Sequence, residues 1–497
     1  MLLYLHIFFY ILLAFYKRFF YFQIQKLYSP YTMALKDTER NDLIRKFEGM
    51  LRNKEVIHLP EEEYEDIITF YSEKAKFGEA LKACNLAIKQ YPFASEFKLE
   101  KAQLLLFMGS YEQALELIDE VALLQPSDLD TNLIKSNALC FLGKFDEAVE
   151  VLEQVLAFHP EGTDEIYFSL GMVYQNWGKL EEAVACFKQA ISANIQHEPA
   201  TFELAFALES LNKLNEGIVF YEKLIDKDPY NHLAWYYTAE IYDRMQDFAN
   251  ALQAYEYASL IKDDFSDAFF GLGTMYMNLK DYLKAREAFE RVLEIDQDES
   301  AETYCHLAAT YEKTENYPKA IEYYRRAIQS DAMWDEAWYG WGMCLYVQEK
   351  WVQAISVFKK ATEINPDNPA YWLALADTEY KLGNLYSAIE AYEAASELDP
   401  FNPQTWLNWS FVYYEQNDNQ KALDVLEEGM EELPDEAELI YRQIAYLMSM
   451  GSYKEAFHRL EIALSTHYQE HTYLYEFFDN LEIQKALFKI IQQYKED

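Results

Sequence analysis

The stretch from Asp335 to Pro369, "DEAWYGWGMCLYVQEKWVQAISVFKKATEINPDNP", decides the fold. Its Trp338, Gly342, Ala354, Ala361 and Pro366 mark positions that recur when the stretch is slid along the chain in steps of about 34 residues. The Ala354 column also holds Ala80, Ala114, Ala148, Ala183, Ala251, Ala285, Ala320, Ala388, Ala422 and Ala456, with Gly217 as its exception. Pro366 shares a column with Pro92, Pro126, Pro160, Pro229, Pro400 and Pro434. The Trp338 column carries Tyr64, Tyr167, Trp235, Phe269, Tyr304, Trp372 and Trp406. A fixed period of this length is the mark of a repeat architecture. Twelve units fit between Glu61 and Tyr468, with single-residue insertions near Gly162 and Ser300.

Within one unit the apolar residues recur at three and four, so each unit reads as two amphipathic helices. The turn between them has a column of Gly109, Gly143, Gly178, Gly383 and Gly451, with Asn212 and Asn417. Those residues tolerate the left-handed backbone that ends a helix. The small Ala354 column marks a place where two helix backbones approach, and a larger residue there costs about 1–3 kcal/mol by overpacking. The Gly342 column, with Gly171, Gly273, Ala205, Ala239, Ala308 and Ala376, is expected to do the same on the first helix. The bulky Trp338 column is expected to fill the space beside that crossing. Pro366 cannot continue a helix, and Pro369 starts the next one where a missing N–H does no harm.

The aromatic, Leu-Gly, Tyr, Ala, Phe/Tyr, Ala and Pro columns appear in one register, as in "YFSLGMVYQNWGKLEEAVACFKQAI" (Tyr167–Ile191). This pattern resembles the tetratricopeptide (TPR) repeat over about 80% of the chain. The second and third units depart from it with Lys98 and Asn132 in the aromatic column, and their Ala and Pro columns hold the register. The resemblance implies an all-α fold, a right-handed α-solenoid superhelix of about twelve helix-turn-helix units, elongated rather than divided into globular domains. The expected organisation is an apolar leader (1–32), an N-terminal capping helix (33–60), twelve repeats (61–468) and C-terminal capping helices (469–497). The ends of a solenoid are apolar and need covering. Ile68 and Ile444, large residues in the small Gly342 column of the first and last units, agree with such caps.

Composition narrows the function. Among 497 residues, 84 acids face 43 bases, a formal charge of -41. Such a chain is repelled by phosphate backbones and anionic membranes, so nucleic acid is not the expected partner. The five cysteines show no CxxC pair, which fits a reducing, cytoplasmic setting without disulfides or zinc. Residues 1–32 are a different text, with no acid and only Lys17, Arg18 and Lys26 as bases. Three readings stand: an over-extended gene start with Met33 as the true first residue, a membrane anchor, and an atypical export signal.

In the TPR family the first helix of each unit lines a concave face. The inward columns correspond here to those of Glu336, Tyr339, Met343, Tyr346 and Val347. Across twelve units these columns hold sixteen acids, thirteen aromatics and three bases, Arg244, Lys313 and Lys381. The expected binding groove has a floor of Phe168, Phe202, Phe206, Tyr236, Phe270, Tyr339, Tyr346, Tyr380, Phe411 and Tyr441. Its expected acidic rim is Glu165, Glu240, Asp243, Asp267, Glu302 and Glu336. Such a surface suits a protein or peptide with apolar anchors and basic flanks. Two plainer readings compete: first-turn acids also stabilise helix N-termini, and the rings can be inter-helix packing. The Lys-rich clamp with which some TPR modules hold acidic C-termini is absent, since Asn137 alone matches in type.

Catalytic and metal motifs do not emerge. His467 and His471 share a helix face only if that segment is helical, and "DQDESAETYCHL" has Ala301 where a calcium loop needs glycine. Asn408 opens a glycosylation sequon placed inside a helix. The sequence therefore predicts a non-enzymatic interaction scaffold without cofactor or metal, binding partners along a concave groove. The alternative is a membrane-tethered assembly or export factor anchored by residues 1–32.

Overall fold

The computed structural model describes residues 30–53, 58–158, 162–296, 300–477 and 487–494. Residues 1–29, and with them most of the expected leader, lie outside these; so does much of the expected C-terminal cap. Among the described residues, twenty-four α-helices from Glu61 to Thr466 form twelve consecutive pairs, here called helix A and helix B of each repeat. The solenoid order expected from the repeat is present. The packing separates into two compact units, residues 1–238 and 239–497.

Each turn from A to B places one residue in the left-handed region, at φ between 52° and 85°. Glycine and asparagine were expected there. Ala75, Gln246, Lys280, Glu315 and Glu349 hold the same conformation. The closing bonds explain why: Lys280 N–H donates to the Met277 carbonyl at 3.0 Å and Asp281 N–H to Tyr276 at 2.9 Å. This pair of bonds ends the helix whatever the side chain, at an intrinsic cost of about 1–2 kcal/mol for a residue with a Cβ.

All eleven alanines of the Ala354 column are fully buried. The helix A glycines have a different partner from the one expected. A Cβ on Gly171, Gly273 or Gly342 would overlap the ring of Phe187, Phe289 or Phe358 on helix B of the same repeat. The small residue accommodates a ring rather than a backbone. The Trp338 column has a specific task too. The indole N–H groups of Trp338, Trp372 and Trp406 donate to the carbonyls of Ala332, Pro366 and Pro400 at 2.8–3.0 Å, tying each helix A to the loop before it. Asn132, which departs from the aromatic pattern, makes the same bond to Pro126 at 3.1 Å.

Helix A of one repeat also touches helix A of the next, as in Leu129–Phe141 with Thr163–Asn176 and Asp335–Val347 with Pro369–Leu382. No contact as extensive joins successive B helices among the described residues. Within each unit, then, the A helices form the inner side of the stack. A helix at Pro30–Asn53 precedes the first repeat and buries Ile44, Phe47 and Met50 against Tyr64, Ile68 and Tyr71. At the other end Tyr468–Glu476 is a 3₁₀ helix, and Leu474, Leu487 and Ile491 join the core of the last repeats. Among the described residues no helix is long and apolar enough to cross a membrane.

Candidate functional site

The expected groove residues fall into two tiers. Those of the Tyr339 column point into the junction between repeats, where their own helix B and the next helix A meet. Phe168 is 9% exposed and packs on Phe187 and His197, and Tyr441 is fully buried with its hydroxyl on the His467 carbonyl at 2.7 Å. Phe270 meets Phe289 and His306 edge-on, with ring centroids 5.5 and 5.1 Å away. Tyr339 stacks on Tyr371 at 4.9 Å and touches Phe358. Tyr236 is half-buried, edge-on to Tyr237. Phe202 is the exception in this column, at 39% exposed.

The second tier, in the Met343 and Tyr346 columns, reaches the surface. In the first unit Phe206 is 47% exposed, one turn along the same helix as Phe202. In the second unit Tyr346, Tyr380, Phe411 and Tyr414 are half-buried. Tyr380 meets Phe411 edge-on at 6.3 Å, and its hydroxyl donates to Glu415 at 2.5 Å. Of the acids, Glu302 and Glu336 are exposed, while Glu165, Glu240, Asp243 and Asp267 are half-buried. Burial raises the Asp243 carboxyl above its ordinary value, against the pull of Arg244.

Sequence reasoning missed how the inner carboxylates of the second unit are held. The helix B core column alternates along that unit: Tyr255, Phe289, Tyr324, Phe358, Tyr392. Each phenylalanine packs against a helix A residue. Each tyrosine passes its hydroxyl through to the inner side and fixes an acid there. Tyr255 donates to Glu240 at 2.5 Å, Tyr324 to Glu312 at 2.7 Å, and Tyr392 to Asp377. Burial, followed by the facing carboxylate, pushes the Tyr324 and Tyr392 hydroxyls well above their usual range, so both stay protonated as donors. Asp377 takes a second bond, from Asn408 Nδ2 at 2.9 Å, so the asparagine of the sequon is engaged. The available signal was an unexpected hydroxyl in a core column, with an acid twelve or fifteen residues earlier.

Among the described residues one group of metal-type ligands gathers, Asp164, Glu165 and His197. His197 caps its helix: its Nδ1 accepts the Ala200 N–H at 3.0 Å. The neutral ring therefore carries its proton on Nε2, which faces Glu165 Oε1 at 3.7 Å. A nitrogen that carries its proton has no lone pair to offer a metal, so the three groups do not form a ligand set in this arrangement. His467 and His471 are not on an α-helix, and His471 Nδ1 pairs with the Tyr468 carbonyl at 2.6 Å. The thiols of Cys84, Cys305 and Cys344 are pushed up to about 12, chiefly by burial, which makes them unreactive.

Comparison with sequence profiles agrees with the repeat. Profiles described as "Tetratricopeptide repeat" match residues 99–163, 164–196, 264–332, 307–369 and 345–407. A TPR repeat-containing protein of Methanocaldococcus jannaschii is 24% identical over 328 residues, 65% of this chain and 54% of that one. The chain thus spans about half the length of this relative. Among solved structures, the APC/C hetero-tetramer Cut9–Hcn1 aligns over 78% of this chain and 97% of its own, with 14% identity and a TM-score of 0.39. YrrB, described as a TPR protein with an unusual peptide-binding site, aligns over 37% of this chain and 95% of its own, with 22% identity and a TM-score of 0.32. Paired helices, the buried alanine column, the left-handed turns and the matched profiles together make this chain a member of the tetratricopeptide repeat family.

Proposed function

We propose that the chain is a non-enzymatic scaffold, working in the cytoplasm, that holds segments of partner proteins against the A-helix face. The observation that carries this reading is the second tier of rings, large side chains left at the inner surface beside carboxylates. Phe206, with the exposed Phe202 of the first tier beside it, stands out in the first unit, and the half-buried Tyr380 and Phe411 in the second. Rings that reach the inner surface among acids suit a segment with apolar anchors and basic flanks, and the acids disfavour nucleic acid.

The test is a pull-down from native lysate with the purified chain, beside Phe202→Ser/Phe206→Ser and Tyr380→Ser/Phe411→Ser variants whose circular dichroism is unchanged. Partners held by the parent and lost from a variant support the groove. Equal retention by all three overturns it. A second reading, a membrane-tethered assembly or export factor, rests on the acid-free leader of residues 1–32. Fractionation of the full chain beside residues 33–497 decides it: a membrane fraction that disappears with the leader supports tethering.

A further inference from the structure

We propose that Asp377 and the rings around it form an anchor point for an arginine side chain of the partner, which makes the second unit selective for basic segments. The proposal rests on the groove reading above and specifies the chemistry at one point of it. Asp377 lies on helix A, Pro369–Leu382, one turn before Tyr380. Its Oδ1 accepts from both Tyr392 and Asn408. Oδ2 accepts no hydrogen bond from the described residues, and Asp377 as a whole is half-buried. The carboxylate is thus fixed in orientation, with one oxygen left for a donor from outside.

Its surroundings favour a cation. Burial raises the Asp377 carboxyl above its ordinary value, the mark of a charge that has lost water without gaining full compensation. Tyr346 of the preceding repeat is close enough for the Asp377 charge to act on its hydroxyl, as is Tyr339. Neither of those hydroxyls makes a hydrogen bond among the described residues. Tyr380, one turn along the same helix as Asp377, meets Phe411 of the following repeat edge-on. Ring faces are electron-rich, and a guanidinium can lie flat on one while its N–H groups reach a carboxylate. Among the described residues the competing cation is Lys381, whose Nζ stands 5.8 Å from the Tyr380 ring centroid and partly offsets the Asp377 charge. An ammonium has no plane to stack, so a partner's arginine has a geometric advantage over it.

The experiment measures binding of a short fluorescent peptide alternating arginine with leucine to the purified full chain. A second peptide carries citrulline, which keeps the shape of arginine without its charge. Asp377→Asn preserves an oxygen for Tyr392 and Asn408, so the fold is kept. The arginine peptide is expected to bind about tenfold more tightly than the citrulline peptide, and Asp377→Asn to remove most of that difference. Lys381→Met is expected to strengthen arginine binding. Glu397→Gln, which removes one exposed charge from helix B, leaves it within about twofold. Equal losses in Asp377→Asn and Glu397→Gln would mean that only the overall field acts, and would overturn the anchor. So would a parent chain indifferent to arginine against citrulline. If the anchor fails while the Tyr380→Ser/Phe411→Ser chain still loses its native partners, the groove stands; if that chain keeps them, the groove itself falls.

Discussion

Glu100 in the first unit and Asp377 in the second are both carboxylates sunk into a helix A, and they are treated in opposite ways. Asp377 receives two hydrogen bonds, from Tyr392 below and Asn408 beside it. Glu100 receives none among the described residues, and the charge of Glu65 lies nearby. Burial first and Glu65 second push Glu100 up to about 7, whereas the donors around Asp377 work against its desolvation. A buried charge is tolerable when donors hold it and costly when they do not. The second unit holds its inner acids in fixed orientation through tyrosine hydroxyls. The first has an acid that destabilises it.

The largest effect is expected from removing the support under Asp377. Tyr392→Ala deletes a buried ring and a donor together, so denaturant unfolding of the second unit should show a loss of about 3–5 kcal/mol. A loss under 1 kcal/mol would mean that the ring is not a core element.

Next comes the unsupported acid. Folded Glu100, pushed up to about 7, lies above the ordinary glutamate value of 4.5, so the folded chain holds the extra proton between roughly pH 4.5 and 7. Stability contributed by this group is therefore greatest at low pH and declines as pH rises through that window. Glu100→Gln should stabilise the chain by on the order of 1–3 kcal/mol at pH 8 and by nothing at pH 4, read from denaturation curves at the two values. A gain independent of pH would break the contrast.

Tyr392→Phe is a finer cut, keeping the ring and removing only the hydroxyl. It is expected to cost about 1–2 kcal/mol and to raise the Asp377 pKa as followed by NMR, because one donor to the ionised form is gone. An unmoved Asp377 would show that Asn408 alone orients it. The smallest effect concerns the turns, away from both acids. Glu349→Gly relieves a left-handed residue that carries a Cβ and should raise stability by about 0.5–1 kcal/mol, where Gly383→Ala should lower it by a similar amount.

Much of the architecture was legible because a repeat multiplies each local constraint twelve times. The Ala354 column could be recognised from its spacing of about 34 residues, and every one of its alanines proved buried. The turns were legible where glycine or asparagine occurs. They were not at Lys280, Glu315 or Glu349, because the hydrogen bonds of the turn impose the backbone there and the side chain only bears the cost.

The inner face was harder to read. Column position puts Phe168 and Tyr441 on the same helix side as Phe202, but burial depends on whether the adjoining repeat supplies a surface to lie against. His197 does so for Phe168, and the 3₁₀ cap places the His467 carbonyl within reach of Tyr441. Tyr255, Tyr324 and Tyr392 look in sequence like ordinary core aromatics. Only their hydroxyl partners on helix A reveal that the core column also shapes the inner surface.

Partners are expected to meet the A-helix side, and site-specific photocrosslinking tests this most directly. A benzophenone amino acid would replace Tyr380 on helix A in one chain and Tyr386 on helix B, which is 76% exposed, in another. The account predicts protein adducts from position 380 that are absent or far weaker from position 386. Adducts from position 386 with none from position 380 would contradict it and move the working surface to the B helices.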